Sequence, residues 1–265
     1  MASTVPVRRE PPPFRRVSVQ RAEAVSPRLL RVTLGGDELA GMPVPDPAAS
    51  VRLLLPSPAQ QELVVQTWNG NQFLLPDGAR PAIRTLTPAR LDPDALELDV
   101  EIVLHDTGVA SDWARAARPG DPAAVSGPGR GYDVDGEAVA YLLAGDETAI
   151  PAIRQLLDVL PARVPVDVIV EVGAPEGRAA LPDHGAAVAR WVDADGAARP
   201  GDALVAAVVA TEIAPGSRIW VAGEAAAVQR IRRHLFEELR VPRKQATVRG
   251  YWKHGRGGDA VADEA

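Results

Sequence analysis

Up to about Tyr132 the apolar residues come in short runs broken by Pro and Gly. Arg16–Ala22 and Arg28–Leu34 read as two strands joined by a Ser26-Pro27 turn, and Leu34-Gly35-Gly36-Asp37 closes the second. Val51–Leu55 is a third apolar run. Ile83–Arg90 and Leu96–Leu104 form a hairpin-like pair across Leu91-Asp92-Pro93-Asp94, with alternation in Leu96, Leu98, Val100 and Ile102. One helix-like insert, Ala110–Ala117, carries Trp113. Strands at this spacing, with no long helix between them, predict a small antiparallel β-barrel of six strands.

After Glu137 the period changes. Ala138–Leu143, Val166–Val172, Val188–Val192, Arg218–Ala222 and Gln245–Trp252 read as strands. Thr148–Leu160, Ala203–Thr211 and Glu224–Arg240 read as helices, the last with Val228, Ile231, Leu235 and Leu239 on one face. Such alternation predicts a parallel α/β domain of the nucleotide-binding type. The expected division is a tail over 1–13, a barrel over 14–135, an α/β domain over 136–255 and a disordered tail over 256–265.

Composition narrows the chemistry. The 265 residues contain no Cys, which excludes disulfides, iron–sulfur ligation and thiol nucleophiles, so redox chemistry would need an organic cofactor. Met1–Glu10 shows no secretory pattern and no apolar run approaches a membrane span, which predicts a cytoplasmic protein without membrane insertion. A net charge of −6 argues against a nucleic-acid partner. Four scattered histidines offer no metal-ligand spacing.

Two strand–helix junctions could carry chemistry. Ala144-Gly145-Asp146-Glu147-Thr148 and Val221-Ala222-Gly223-Glu224 each follow a strand and open a helix, where free amides and the helix dipole suit a dinucleotide phosphate. On local chemistry alone each reads first as an ordinary structural turn, the first of them capped by Asp146 or Thr148, and neither is a G-x-G-x-x-G loop. In the barrel half, His105 precedes a helix start at Ala110-Ser111, and together with Arg84 this could hold a pyrophosphate. The end of the chain, Tyr251, Trp252, Lys253, His254 and Arg256, makes a basic aromatic rim suited to an anionic aromatic ligand, or simply a terminal strand with a solvated tail.

In order along the chain, Arg84-Thr85-Leu86-Thr87, Leu104-His105, Ala110-Ser111-Asp112-Trp113-Ala114, Gly127-Pro128-Gly129, Ala144-Gly145-Asp146-Glu147-Thr148-Ala149-Ile150-Pro151, Trp220-Val221-Ala222-Gly223-Glu224 and Gly250-Tyr251-Trp252 resemble the siderophore-interacting proteins. These are FAD-dependent ferric-siderophore reductases of the ferredoxin-reductase type, and the match runs from about Phe14 to Gly255. The resemblance implies FAD along the barrel, with Arg84, Ala110 and Ser111 near its pyrophosphate and Leu86 and Thr87 beside the ring. Thr87 would be the catalytic residue, and His105 would lie near the adenylate or ribityl part. NADH or NADPH would lie over Gly145, Asp146, Glu147, Thr148, Gly223 and Glu224. Hydride would pass to the flavin and single electrons to ferric iron held by a siderophore, bound by Tyr251, Trp252, Lys253, His254 and Arg256.

Three departures fall in the flavin site. Leu86 stands where the family has an aromatic residue, Asp106 where it usually has Gly, and Val109 where it usually has Pro. They leave a second reading, in which a flavin-free descendant of the scaffold cyclises an organic, polyketide-like biosynthetic intermediate in the cleft, and a third, in which it carries a ligand without turnover.

Overall fold

The computed structural model describes residues 12–255 apart from 57–62, 65, 71, 106–107 and 195. Arg256 and Asp106, both singled out above, lie outside the described residues.

The N-terminal half is built from β1 (Arg15–Ser26), β2 (Leu29–Gly35), β3 (Val51–Leu55), a small hairpin β4–β5 (Thr67–Trp68, Phe73–Leu74), β6 (Ala82–Leu86), β7 (Pro88–Asp92), β8 (Glu97–Val103), helix α1 (Val109–Ala116) and β9 (Pro122–Ser126). Alternation decides which side chains go inward. Val17 and Val19, Val32 and Leu34, Leu53 and Leu55, and Leu98, Val100 and Ile102 form one buried cluster. Seven strands pair antiparallel in the order β6-β3-β9-β1-β2-β8-β7. The edge strands β6 and β7 are separated only by Thr87, so the sheet curls back on itself into a barrel-like form.

The run read from sequence as one strand over Ile83–Arg90 is thus two. Its first part pairs with β3 and its second with β8. Counting the bent run once leaves six strands, one of which, β9, carried no alternation to mark it.

The C-terminal half contains β10 (Tyr141–Asp146), α2 (Ile150–Val159), β11 (Val166–Val172), β12 (Ala187–Asp193), α3 (Asp202–Val209), β13 (Arg218–Glu224), α4 (Ala225–Arg233) and β14 (Ala246–Trp252). All five strands are parallel, in the order β12-β11-β10-β13-β14. This is a doubly wound sheet, whose ligand crevice lies outside the carboxyl ends of the strands. The long C-terminal helix predicted over Glu224–Arg240 stops being α-helical at Arg233, and a π-turn over His234–Glu238 follows. Chain reversal comes at Arg240, with φ 56°.

The two halves share a core, since Leu29, Ala48 and Val103 of the barrel half join the cluster under α2. Charged contacts reinforce it. Arg28 forks onto Glu147 through Nε and Nη2, at 2.8 and 3.1 Å. The fully buried Glu101 side chain is shared by Arg31 of β2 and Arg154 of α2. Gln155 accepts from the Ala48 N–H at 2.9 Å and donates to the Pro88 carbonyl at 2.7 Å.

Candidate functional site

On the barrel side, the site begins at edge strand β6. Arg84 is half-buried and donates to the Ile83 carbonyl at 2.8 Å. Leu86 packs its aliphatic side chain against the barrel core, together with Leu104, Val109, Ala110 and Trp113. Thr87, at the break between β6 and β7, is buried, and its hydroxyl donates to the Tyr251 hydroxyl at 3.5 Å. Burial pushes the Tyr251 phenol up, so it stays protonated through the neutral range and keeps a proton to donate.

Helix α1 opens with Gly108 at φ 148°, and among the described residues no side chain caps its first turn. A Cβ at Gly108 would meet nothing within 4 Å among the described residues. Such a helix start suits phosphate oxygens. Ser111 itself is committed inward: its hydroxyl accepts from the His105 N–H at 3.0 Å and donates to the Val103 carbonyl at 3.3 Å. That knot fixes the end of β8 to the start of α1. The exposed His105 ring lies 5.9 Å from Trp252, centroid to centroid, tilted by 38°.

On the α/β side, one buried carboxylate organises the strand ends. Asp146 closes β10, and its Oδ1 accepts from the Thr148 N–H at 2.9 Å and from the Thr148 hydroxyl. Its Oδ2 accepts from the Glu224 N–H at 2.9 Å and the Trp252 indole N–H at 2.7 Å. Burial raises the Asp146 carboxyl above the usual aspartate range, with the four bonds pulling the other way. Glu224 accepts from the N–H groups of Ala226 and Ala227 and from His254 N–H at 3.1 Å. The amides of Thr148 and Glu224 and the first turn of α4 are therefore satisfied by the protein's own carboxylates. Gly223, at φ 153°, is needed because a Cβ there would lie 2.6 Å from Asp146 Oδ2.

Of the residues read as the basic rim, Tyr251 and Trp252 turn into the interface, while Lys253 and His254 are exposed. A register shift opposite Gly223 and Glu224 makes Tyr251 a bulged residue, so neighbouring rings reach different partners. Sequence reasoning missed the barrel partners of this site. Nothing local marks Arg28 as the partner of Glu147, 119 positions away. Among the described residues no cluster of three metal-ligating side chains occurs, and no helix is long and apolar enough to cross a membrane.

A curled antiparallel sheet followed by a doubly wound parallel one is a fold seen in other solved structures. The ferredoxin reductase in carbazole 1,9a-dioxygenase shares it at TM-score 0.64 and 17% identity, over 91% of this chain and 69% of that one. The chain belongs to the siderophore-interacting protein family. It matches the siderophore-interacting FAD-binding domain over residues 18–132 and the siderophore-interacting protein family over residues 138–255. A siderophore utilization protein from T. fusca superposes at TM-score 0.82 with 34% identity, covering 93% of this chain and 95% of that chain. Ferric vibriobactin reductase ViuB of Vibrio cholerae is 29% identical over 251 residues, 92% of this chain and 91% of the relative.

Proposed function

We propose that this protein is an FAD-dependent NAD(P)H:ferric-siderophore reductase that releases iron as Fe(II). The observation that carries the reading is the contact between the two halves at the expected flavin edge, where Thr87 of the barrel meets Tyr251 of β14. The full-length likeness to a ferric vibriobactin reductase supports the same activity.

The residues present fit a flavin dinucleotide. The start of α1 beside Gly108 would offer amides to the pyrophosphate, with Arg84 adding a positive charge. Leu86 gives the ring an aliphatic rather than aromatic wall. Bound flavin supplies the redox chemistry, taking two electrons as hydride from nicotinamide and passing them singly to ferric iron. The chain's own groups orient and exclude water. Tyr251 holds the Thr87 hydroxyl at the ring edge and keeps its own proton for an acceptor there. Asp146 fixes the Trp252 indole, and the Trp252 ring stands beside His105 of the barrel half. Gly145, Thr148, Gly223 and Glu224 at the strand ends would hold the nicotinamide nucleotide. Lys253 and His254, on the exposed rim, face the anionic ferric chelate.

The test is a visible spectrum of purified protein after incubation with FAD and desalting. A retained flavin band that bleaches with NADPH or NADH, followed by Fe(II) release from a ferric catecholate, is expected. Protein that stays colourless and reduces no ferric chelate overturns the reading.

A further inference from the structure

The parallel sheet ends at β12. Three of its four crossovers carry an α-helix; the one from β11 to β12 does not. Residues 173–186 form a loop instead, and a cavity of about 500 Å³ remains between that loop and the face of β12 that carries Ala187, Ala189 and Trp191. Exposure is greatest in the middle of the strand. Val188 is 61% exposed and Ala189 and Arg190 are exposed, whereas Trp191 and Val192 already pack against the chain's own clusters.

The backbone of β12 is half-used. The Ala186 carbonyl accepts from the Val166 N–H at 3.1 Å, and the Ala194 N–H donates to the Val172 carbonyl at 2.9 Å. Even-numbered residues therefore aim their backbone groups at β11, and odd-numbered ones aim theirs away from the sheet. The Ala187 N–H turns back to the His184 carbonyl at 2.9 Å. Among the described residues nothing bonds the N–H groups of Ala189 and Trp191 or the carbonyls of Ala187 and Ala189. Natural sheets guard such an edge with a bulge, a proline, free charges or a covering element. β12 pairs with β11 in unbroken register and contains no proline. Its two charged side chains are tied down, Arg190 to the Thr211 hydroxyl at 2.7 Å and Asp193 to Arg178 at 2.8 Å. The other edge strand, β14, has both a bulge and a contact with the barrel half.

We propose that β12 pairs antiparallel with β12 of a second copy of this chain, joining two five-stranded sheets across a twofold axis at Ala189. The strand is self-complementary in that register. The two Ala189 residues exchange both main-chain bonds, and the Ala187 carbonyl accepts from the N–H of the partner's Trp191. On the cavity face Ala187 then stands opposite the partner's Trp191, a small side chain against a large one, twice by symmetry. On the other face Val188 lies against the aliphatic stem of the partner's Arg190. Centring on Arg190 would set two guanidinium groups directly opposite each other. Centring on Trp191 would put the exposed Val188 opposite a position beyond the end of the partner's strand. Two seven-residue edges bury little area, so the dimer dissociates on dilution.

The experiment is sedimentation velocity on the full chain, from low micromolar to several hundred micromolar, with circular dichroism and urea midpoints to show that each variant is folded. Wild type should pass from monomer to dimer over that range. Ala189→Pro removes an outward N–H that the fold does not use, and should weaken association at least about tenfold. Val188→Glu sets a carboxylate opposite the partner's Arg190 and should tighten the dimer about threefold, while Val188→Arg should weaken it by a similar factor. If Ala189→Pro does not fold, the two charge variants decide. A wild type that stays monomeric overturns the proposal and leaves the edge to an extended segment of another protein. A dimer unmoved by a folded Ala189→Pro, or indifferent to the sign of the charge at position 188, overturns it as well.

Discussion

Asp146→Asn sets two effects against each other. The carboxylate is buried, and desolvation raises its pKa. Neutralising it removes that cost. Yet four donors converge on its two oxygens, and an amide nitrogen must face two of them whichever way it turns. The cheaper orientation puts the nitrogen toward Thr148, whose hydroxyl can rotate to accept, leaving one backbone N–H orphaned. A lost bond to a charged group costs about 1.5–3 kcal/mol, and the remaining bonds weaken as their acceptor loses its charge. Relief of the buried charge returns part of this. We expect a net destabilisation of about 2–3 kcal/mol, or a Tm lowered by roughly 4–10 °C.

Urea unfolding followed by Trp fluorescence and circular dichroism would measure it, at several pH values. The sign with pH is fixed by the direction of the shift. A carboxyl whose folded pKa is raised contributes most stability below its unfolded value, about 3.9, and loses that contribution as pH rises through the folded value. The asparagine variant lacks this slope, so the gap between wild type and variant should widen toward acid pH. A stabilised variant would show that desolvation outweighs the four bonds, and a gap that narrows toward acid would refute the direction of the shift.

Other positions give sharper single outcomes. Glu101→Ala leaves Arg154, only 17% exposed, without its carboxylate, and should cost about 3 kcal/mol in urea unfolding, against less than about 1 kcal/mol if solvent already screens the pair. Leu86→Tyr restores an aromatic wall and should tighten FAD by about fivefold, or about 1 kcal/mol, in a fluorescence titration. In the half-buried pair of Asp135 and Arg218 the guanidinium holds the aspartate below its usual range, so its contribution is present above the unfolded pKa and lost as pH falls through the lowered folded one. Asp135→Asn should therefore flatten the acid limb of stability between about pH 5 and pH 3, as read from urea midpoints.

Both halves of the fold were legible from periodicity because their cores are patterned along single strands. Val51–Leu55 and Val166–Val172 begin and end where the apolar runs do. What failed was local geometry imposed from outside the segment. Thr87 breaks its strand because the run must serve two edges of one sheet, and the local mark of the break is Pro88, which lacks a ladder donor and starts the second strand. The strand predicted at Ala138–Leu143 starts later, at Tyr141, because a turn bonds the Ala138 N–H back to Asp135. At the site, sequence located the glycine-bearing junctions, with both outward amides and self-capping open as readings. Structure shows the amides of Thr148, Glu224, Ala226 and Ala227 taken by Asp146 and Glu224, a choice that depends on how β10 and β13 lie side by side.

The bulge in β14 explains how one short segment serves both halves of the molecule. In a regular strand Tyr251 and Trp252 would point to opposite faces of the sheet. With the shift opposite Gly223 and Glu224, the Tyr251 hydroxyl reaches Thr87 while the Trp252 indole turns to Asp146 at the strand ends and to His105 of the barrel. The interface around it is held by a shared core and by buried charge at Glu101 and Glu147, neither of which yields without loss of several contacts at once. Adjustment to a ligand therefore falls to the end of β14, where Tyr251 and Trp252 are only half-buried and the residues beyond them are exposed.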